Sequence, residues 1–311
     1  MRSPILLALA ATSALAVQVT TVFNFTSAID IENSELRTNG HLLLTTFEKG
    51  QLYTLDPSAE NPQAELVAAL PGATALCGIT TIAENKYAVI GGVRGSYHYY
   101  NETIYTVDFS KDPANPVILK AAHLPDAIML NGMAALPKLP HVVLAGDARR
   151  GLIFRIDTTT GHYKVAFKDE TLYAPSNASI PIGVNGLKVV GNYVYFTNSA
   201  RNIYAKVQIS DDAETFGDVE IIYSLDSTTD DFDDFIIDSN GVAYVSQPTD
   251  KIAQIQPDGS RKTYVGGDGS KISRPTSLQI ASDGYAYMTS GGGSVVKFKL
   301  PPGTTLAKGE Y

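Results

Sequence analysis

The chain has one cysteine, Cys77, in 311 residues, so no intramolecular disulfide can form. Stability has to come from a large core instead, and a thiolate zinc site is excluded with it. Basic residues are also in deficit: 24 Lys and Arg stand against 32 Asp and Glu, a net charge of −8. No basic cluster exceeds an isolated pair such as Arg149-Arg150, which argues against nucleic acid and anionic membrane as partners. Five histidines are spread through the chain, and none stands in a Ser/His/Asp arrangement. His98 lies in the stretch "SYHYYN", His41 and His141 begin strand-like runs, and His123 and His162 lie in connecting segments. They read as solvated or strand-packed. Helical periodicity is missing throughout, and so is any apolar run long enough to span a bilayer.

What is present begins with a leader. Arg2, the apolar Ile5–Ala11 and the small-residue Ala14-Leu15-Ala16 follow the order of a secretory signal peptide. The expectation is removal of residues 1–16 and a mature domain over 17–311 in the secretory pathway. Sequons at Asn24, Asn101 and Asn177 agree with that route and mark candidate glycosylation sites.

The remainder repeats one two-strand phrase six times. The copies start at His41, Lys86, His141, Tyr193, Val242 and Tyr285, spaced by 45, 55, 52, 49 and 43 residues. Each has a strand ending in small or polar residues, a short turn, and a second strand often closed by Asp. A period near fifty residues filled with short β-runs predicts an all-β, six-bladed β-propeller. "VQVTTVFNF" (Val17–Phe25) has no phrase of its own. It is expected to close the ring on the last blade, because an unpaired edge is a liability.

Counting back eight to ten residues from each phrase gives Glu32, Cys77, Asn131, Asn185, Asp233 and Thr276. In a propeller this offset falls at the start of the innermost strand, where blades meet the central channel. Two readings of "LNG" and "VNG" stay open: turn dipeptides, or channel residues. Glu32, in "IDIENS", has no adjoining glycine and is not explained by a turn. Glu32, Asn131, Asn185 and Asp233 together offer hard oxygen donors suited to one Ca, Mg or Mn ion. Without a metal, one carboxyl of Glu32 and Asp233 would have a raised pKa and could act as an acid or hydrogen-bond donor. Those two are the candidate catalytic residues. Cys77, Met129 and Thr276 are candidate substrate contacts. In "DDFDDF" (Asp230–Phe235), Asp233 is assigned to the ring and the other acids to a loop.

At these residues the chain resembles the senescence marker protein/gluconolactonase family of six-bladed propellers. The resemblance rests on Glu32, Asn131, Asn185 before "YFTNS", Asp233 with Asp238 in "DDFIIDSNG", and the last-blade "RPTSLQIASDGYAYMTS". It implies a divalent-metal-dependent lactone or ester hydrolase. Met129 stands where that family carries an arginine that contacts a polar sugar lactone. The chain looks closest to a secreted fungal branch that includes hetero-Diels–Alderases of specialised metabolism, implying a pericyclase acting on apolar intermediates in the channel. A secreted, non-enzymatic propeller that binds through its rim is the remaining alternative.

Overall fold

The computed structural model describes residues 17–227, 229–267 and 270–307; the signal-peptide expectation lies outside the described residues. Among the described residues, twenty-four strands form six four-stranded antiparallel sheets around a central channel. The N-terminal strand is β1 (Val19–Asn24). Blade 1 holds β2 (Ile31–Leu36), β3 (Leu42–Thr46), β4 (Gln51–Leu55) and β5 (Ala64–Ala69). Blade 2 holds β6 (Ala75–Ala83), β7 (Lys86–Arg94), β8 (Tyr99–Asp108) and β9 (Val117–His123). Blade 3 holds β10 (Leu130–Leu136), β11 (Leu139–Asp147), β12 (Leu152–Asp157) and β13 (Tyr163–Lys168). Blade 4 holds β14 (Val184–Val190), β15 (Tyr193–Asn198), β16 (Ile203–Ile209) and β17 (Phe216–Ser224). Blade 5 holds β18 (Phe235–Ile237), β19 (Ala243–Gln247), β20 (Lys251–Ile255) and β21 (Arg261–Gly266). Blade 6 is built from β22 (Pro275–Ile280), β23 (Tyr285–Ser290), β24 (Ser294–Lys299) and β1, so the ring closes as expected.

Burial falls from the axis outward. β3 (LLLTT) is buried at every position, because sheets of neighbouring blades cover both its faces. The outer strands β5 and β13 mix half-buried and exposed positions with none fully buried. The Asp that often ends the third strand caps the turn behind it. Asp56, Asp108 and Asp157 accept the backbone N–H two residues on, from Ser58, Ser110 and Thr159, at 2.8–2.9 Å.

The inner strands share a further device at the height of the ring residues. β2, β6, β10, β14 and β22 all shift register there, which turns side chains out of the ladder. Gly78, Gly132 and Gly186 directly follow Cys77, Asn131 and Asn185. A Cβ on Gly78 would overlap the Asn131 carbonyl, and one on Gly132 the Asn185 carbonyl. Neither asparagine-glycine pair is a turn: both lie inside strands, and their glycines are not left-handed. The turn reading of "NG" is thus corrected. The glycine is there because the neighbouring blade's backbone approaches too closely for a side chain.

Hydroxyls stitch the seams between blades. Thr45 accepts from the Asn33 N–H at 3.0 Å and donates to the Cys77 carbonyl at 2.7 Å. Thr197 accepts from the Gly186 N–H at 2.9 Å and donates to the Asp233 carbonyl at 2.7 Å. Thr276 donates to the Ile31 carbonyl at 2.9 Å, tying blade 6 to blade 1. Among the described residues, no helix is long and apolar enough to cross a membrane.

Candidate active site

The ring offset places all six predicted residues at one end of the channel, at or just before the start of an inner strand. Glu32 and Asp233 are half-buried, whereas Cys77, Asn131, Asn185 and Thr276 are buried. Burial pushes the Glu32 carboxyl up to about 8; the Arg94 guanidinium opposes this, and Asp234 and Asp30 add to it. Asp233 is raised well above the usual carboxylate range, first by burial, then by Glu32, Asp234 and Asp231. A hydrogen bond from Asn185 pulls the other way. Glu32 thus disfavours ionisation of Asp233, and burial keeps both carboxyls protonated to a higher pH than usual. These interactions tie Asp233 to Glu32 and to Asn185.

The other predicted residues sit around this pair in different roles. Asn185 also donates to the Ser199 hydroxyl at 2.9 Å, which in turn donates to the Phe232 carbonyl at 2.7 Å. Asn131 holds the equivalent position on β10, at the blade seam described above. Thr276 is committed to the seam with Ile31 and lies 3.1 Å from the Thr289 hydroxyl. Cys77 meets the Tyr99 hydroxyl, and burial pushes its thiol well up, so it is a weak nucleophile. Met129 joins Cys77 and Tyr99 in one apolar cluster, with Phe47 and Ile182 packed against it.

Three contributors are missing from the sequence-predicted set. Arg94 and Tyr99 flank the tip of the β7–β8 hairpin, whose strands are nine and ten residues long. The guanidinium carbon of Arg94 lies 3.9 Å from the centroid of the Phe47 ring, and the Phe47 and Tyr99 rings are 6.4 Å apart. Thus an arginine does influence Glu32, but from blade 2 rather than from the Met129 position. The longest phrase spacing, 55 residues from Lys86, is the signal that could have located this hairpin.

Asp234 is the third. It lies in the irregular segment before β18, as assigned, but its side chain is buried and pairs with Lys188 of β14 through both oxygens, at 2.7 and 2.9 Å. Ser277 donates to it at 3.2 Å and to Asn33 at 2.9 Å. This buried network forms a polar plug beneath the acid pair. Lys188→Met should destabilise the fold by about 3–5 kcal/mol, because it strands a buried carboxylate. Chemical denaturation checks this, and a loss under about 1 kcal/mol would show that the pair is effectively solvated.

The resemblance implies a divalent cation, and the donor set can be tested against it. Among the described residues, no group of three or more His, Cys, Asp and Glu is placed to hold a metal. The amide oxygens of Asn131 and Asn185 would have to complete the shell begun by Glu32 and Asp233. The donor chemistry fits a hard dication, since two mutually repelling carboxyls are the charge that such an ion neutralises.

Fold and site together define a six-bladed β-propeller with an acid pair at one mouth of its channel and an aromatic, thioether-lined wall beside it. No family profile matches the chain. It is similar to a "Putative hetero-Diels-Alderase" from Phoma sp, 27% identical over 66% of this chain and 66% of that one. Another, from Sarocladium schorii, also carries the name "Putative hetero-Diels-Alderase" and is 28% identical over 57% of this chain and 50% of its own. The chain thus spans about two thirds of the first relative and half of the second. Among solved structures, the calcium-binding regucalcin from Agrobacterium tumefaciens superposes with a TM-score of 0.68 at 14% identity, covering 95% of this chain and 97% of that one. A gluconolactonase from Xanthomonas campestris does so with a TM-score of 0.63 at 11% identity, covering 92% and 90%. These likenesses establish the fold.

Proposed function

We propose that the chain is a small-molecule enzyme of the hetero-Diels–Alder type, working at the channel mouth that holds Glu32 and Asp233. The observation that carries this reading is a pair of carboxyls with raised pKa values, Glu32 and Asp233, set beside an apolar cluster. The names of the two curated relatives support it. In such a cycloaddition, one carbon–carbon and one carbon–heteroatom bond form while three π-bonds become one. No atom leaves and no proton is consumed. The protein therefore has two tasks.

The first is orientation. Phe47, partly exposed and backed by the buried Tyr99 and Met129, provides a surface against which an apolar diene and its partner can be held face to face, which is worth up to about 7–11 kcal/mol of barrier. The second is polarisation. The protonated carboxyl of the pair donates a hydrogen bond to the heteroatom of the heterodiene as negative charge grows there, and keeps its proton at the end. Arg94 supplies a fixed positive field on the same side.

The pH dependence follows from the raised carboxyls. The pair is active while it holds its proton, so turnover should be level through neutral pH and fall as pH rises through about 8. A rate that instead rises through pH 4–5 and then stays level would mean that the ionised form is the working one.

The direct test mixes the purified protein with an oxygen heterodiene and an electron-rich alkene, then measures rate and enantiomeric excess of the adduct. A saturable rate above background with an optically active product is expected. Racemic product at the background rate would contradict the proposal.

The donor set of Glu32, Asn131, Asn185 and Asp233 favours one other reading, a metal-dependent lactone hydrolase. A bound dication would supply carbonyl polarisation, and these four residues would hold it. Full activity in excess chelator rules that reading out, whereas lactone hydrolysis restored by added Ca, Mg or Mn supports it.

A further inference from the structure

The channel has a second end, and the polar plug of Asn33, Ser277, Asp234 and Lys188 separates it from the acid pair. Below the plug lies a cavity of about 120 Å³ whose lining includes Glu35, Gln279, Lys188 and Leu306. Leu306 belongs to the C-terminal segment, which is pinned across this end. Asp238 and Leu306 form a bridge, the Ser239 N–H donates to the Thr305 carbonyl at 2.8 Å, and the Ala307 N–H donates to the Ile237 carbonyl at 3.1 Å. Leu36 also lines an open cleft of about 590 Å³, whose wall combines Ile82, Ala83, Tyr87 and Pro140 with Arg37 and Glu84.

We propose that this lower compartment is a second ligand site, for a small amphipathic molecule with an apolar body and an uncharged hydroxyl head. The body occupies the cleft and the head enters the small cavity. The cleft is of ordinary ligand-site size, and the lining of the small cavity offers the few placed polar groups that such sites carry.

The choice of head follows from the hydrogen bonds already made. Lys188 is engaged by both oxygens of Asp234, so its charge is largely compensated. One oxygen of Glu35 accepts from Thr81, from the N–H at 3.2 Å and from the hydroxyl at 2.6 Å. Gln279 gives its amide N–H to the Ser34 carbonyl at 2.7 Å. Among the described residues, no hydrogen bond engages the second oxygen of Glu35 or the amide oxygen of Gln279, and both can accept from a ligand. An anionic head would meet Glu35, and a cationic one would meet Lys188. A hydroxyl group meets neither objection and can donate to either oxygen. Burial raises Glu35 to about 7, consistent with a floor that tolerates little charge.

Octanol titrated into the full chain, followed by calorimetry, tests this, with octanoate and octylammonium as charged counterparts. One-to-one saturable octanol binding is expected, with both charged probes weaker by about tenfold or more. Leu36→Glu, which puts a charge in the cleft, and Ser282→Trp, which fills its exposed rim, should each weaken octanol by a similar factor. Ser282 sits in an exposed turn, so that variant remains a test if Leu36→Glu does not fold. Absence of saturable octanol binding overturns the proposal. So does octanoate or octylammonium binding as tightly as octanol, or unchanged octanol binding by folded Ser282→Trp protein. These outcomes do not depend on the chemistry at the other mouth.

Discussion

Asp233→Ala should abolish most turnover while leaving the melting temperature unchanged or raising it. The two effects have one cause. Burial raises both carboxyls and Glu32 raises Asp233 further, so removing Asp233 ends that repulsion. The carboxyl that burial and Glu32 hold protonated is then gone, and a proton donor near neutrality is lost with it. Loss of one preorganised donor at a developing charge costs about 10²–10³ in rate. The backbone contacts of Asp233, its N–H to the Ser246 carbonyl at 2.9 Å and its carbonyl from Thr197 at 2.7 Å, survive the substitution. A purely structural residue would show the opposite pattern, with stability falling alongside activity. Rate and melting temperature measured on one preparation separate the two cases.

A large stability effect should also come from a single methyl group. Gly132→Ala places a Cβ against the Asn185 carbonyl and 2.6 Å from the Leu187 nitrogen. These are backbone atoms of the neighbouring inner strand, so no rotamer change relieves the overlap. Blades 3 and 4 must move apart, at a cost of about 3 kcal/mol or more. The displacement carries Asn185 with it, so turnover should fall too. Gly217→Ala in β17 is the control, because the nearest atom to its new Cβ would be at 3.6 Å. That change should stay within about 0.5 kcal/mol. Equal stability of the two variants in urea would show that the seam at Asn185 is looser than described.

The architecture was readable because each blade repeats the same physical solution. Strand ends such as Leu44-Thr45-Thr46 and Phe196-Thr197-Asn198 are small or polar where they approach the axis. There the hydroxyls of Thr45 and Thr197 bond across the blade seams. The closing strand was readable for the reason that Val17–Phe25 had no partner within its own repeat. The ring offset led to Glu32 and Asn185 because a register shift recurs at that point in five blades; Asp233 lies just before β18, whose pairing with β19 shows no shift.

What escaped the sequence is what the repeat does not dictate. Arg94 and Tyr99 come from a hairpin longer than those of the other blades, and no periodic argument reaches an insertion. Asp234 was hidden by its neighbours: in Asp230–Phe235 the acids look interchangeable, and only the blade geometry buries one against Lys188. Lys188 itself sits in "LKVV", a strand pattern in which a lysine normally faces solvent. Here the strand faces the channel, so the same alternation sends it inward to a carboxylate. The asparagine-glycine pairs misled in a different way. Their composition is that of a turn, but the constraint on Gly132 and Gly186 comes from another blade, which local sequence does not reveal.

Infrared difference titration of the carboxyls, comparing the parent protein with Glu32→Gln, tests the acid pair most directly. The prediction is a protonated carboxyl band that persists at neutral pH, disappears above about pH 8 and is altered in the variant. Fully ionised side chains at neutral pH, each titrating in the ordinary range near 4, would contradict it.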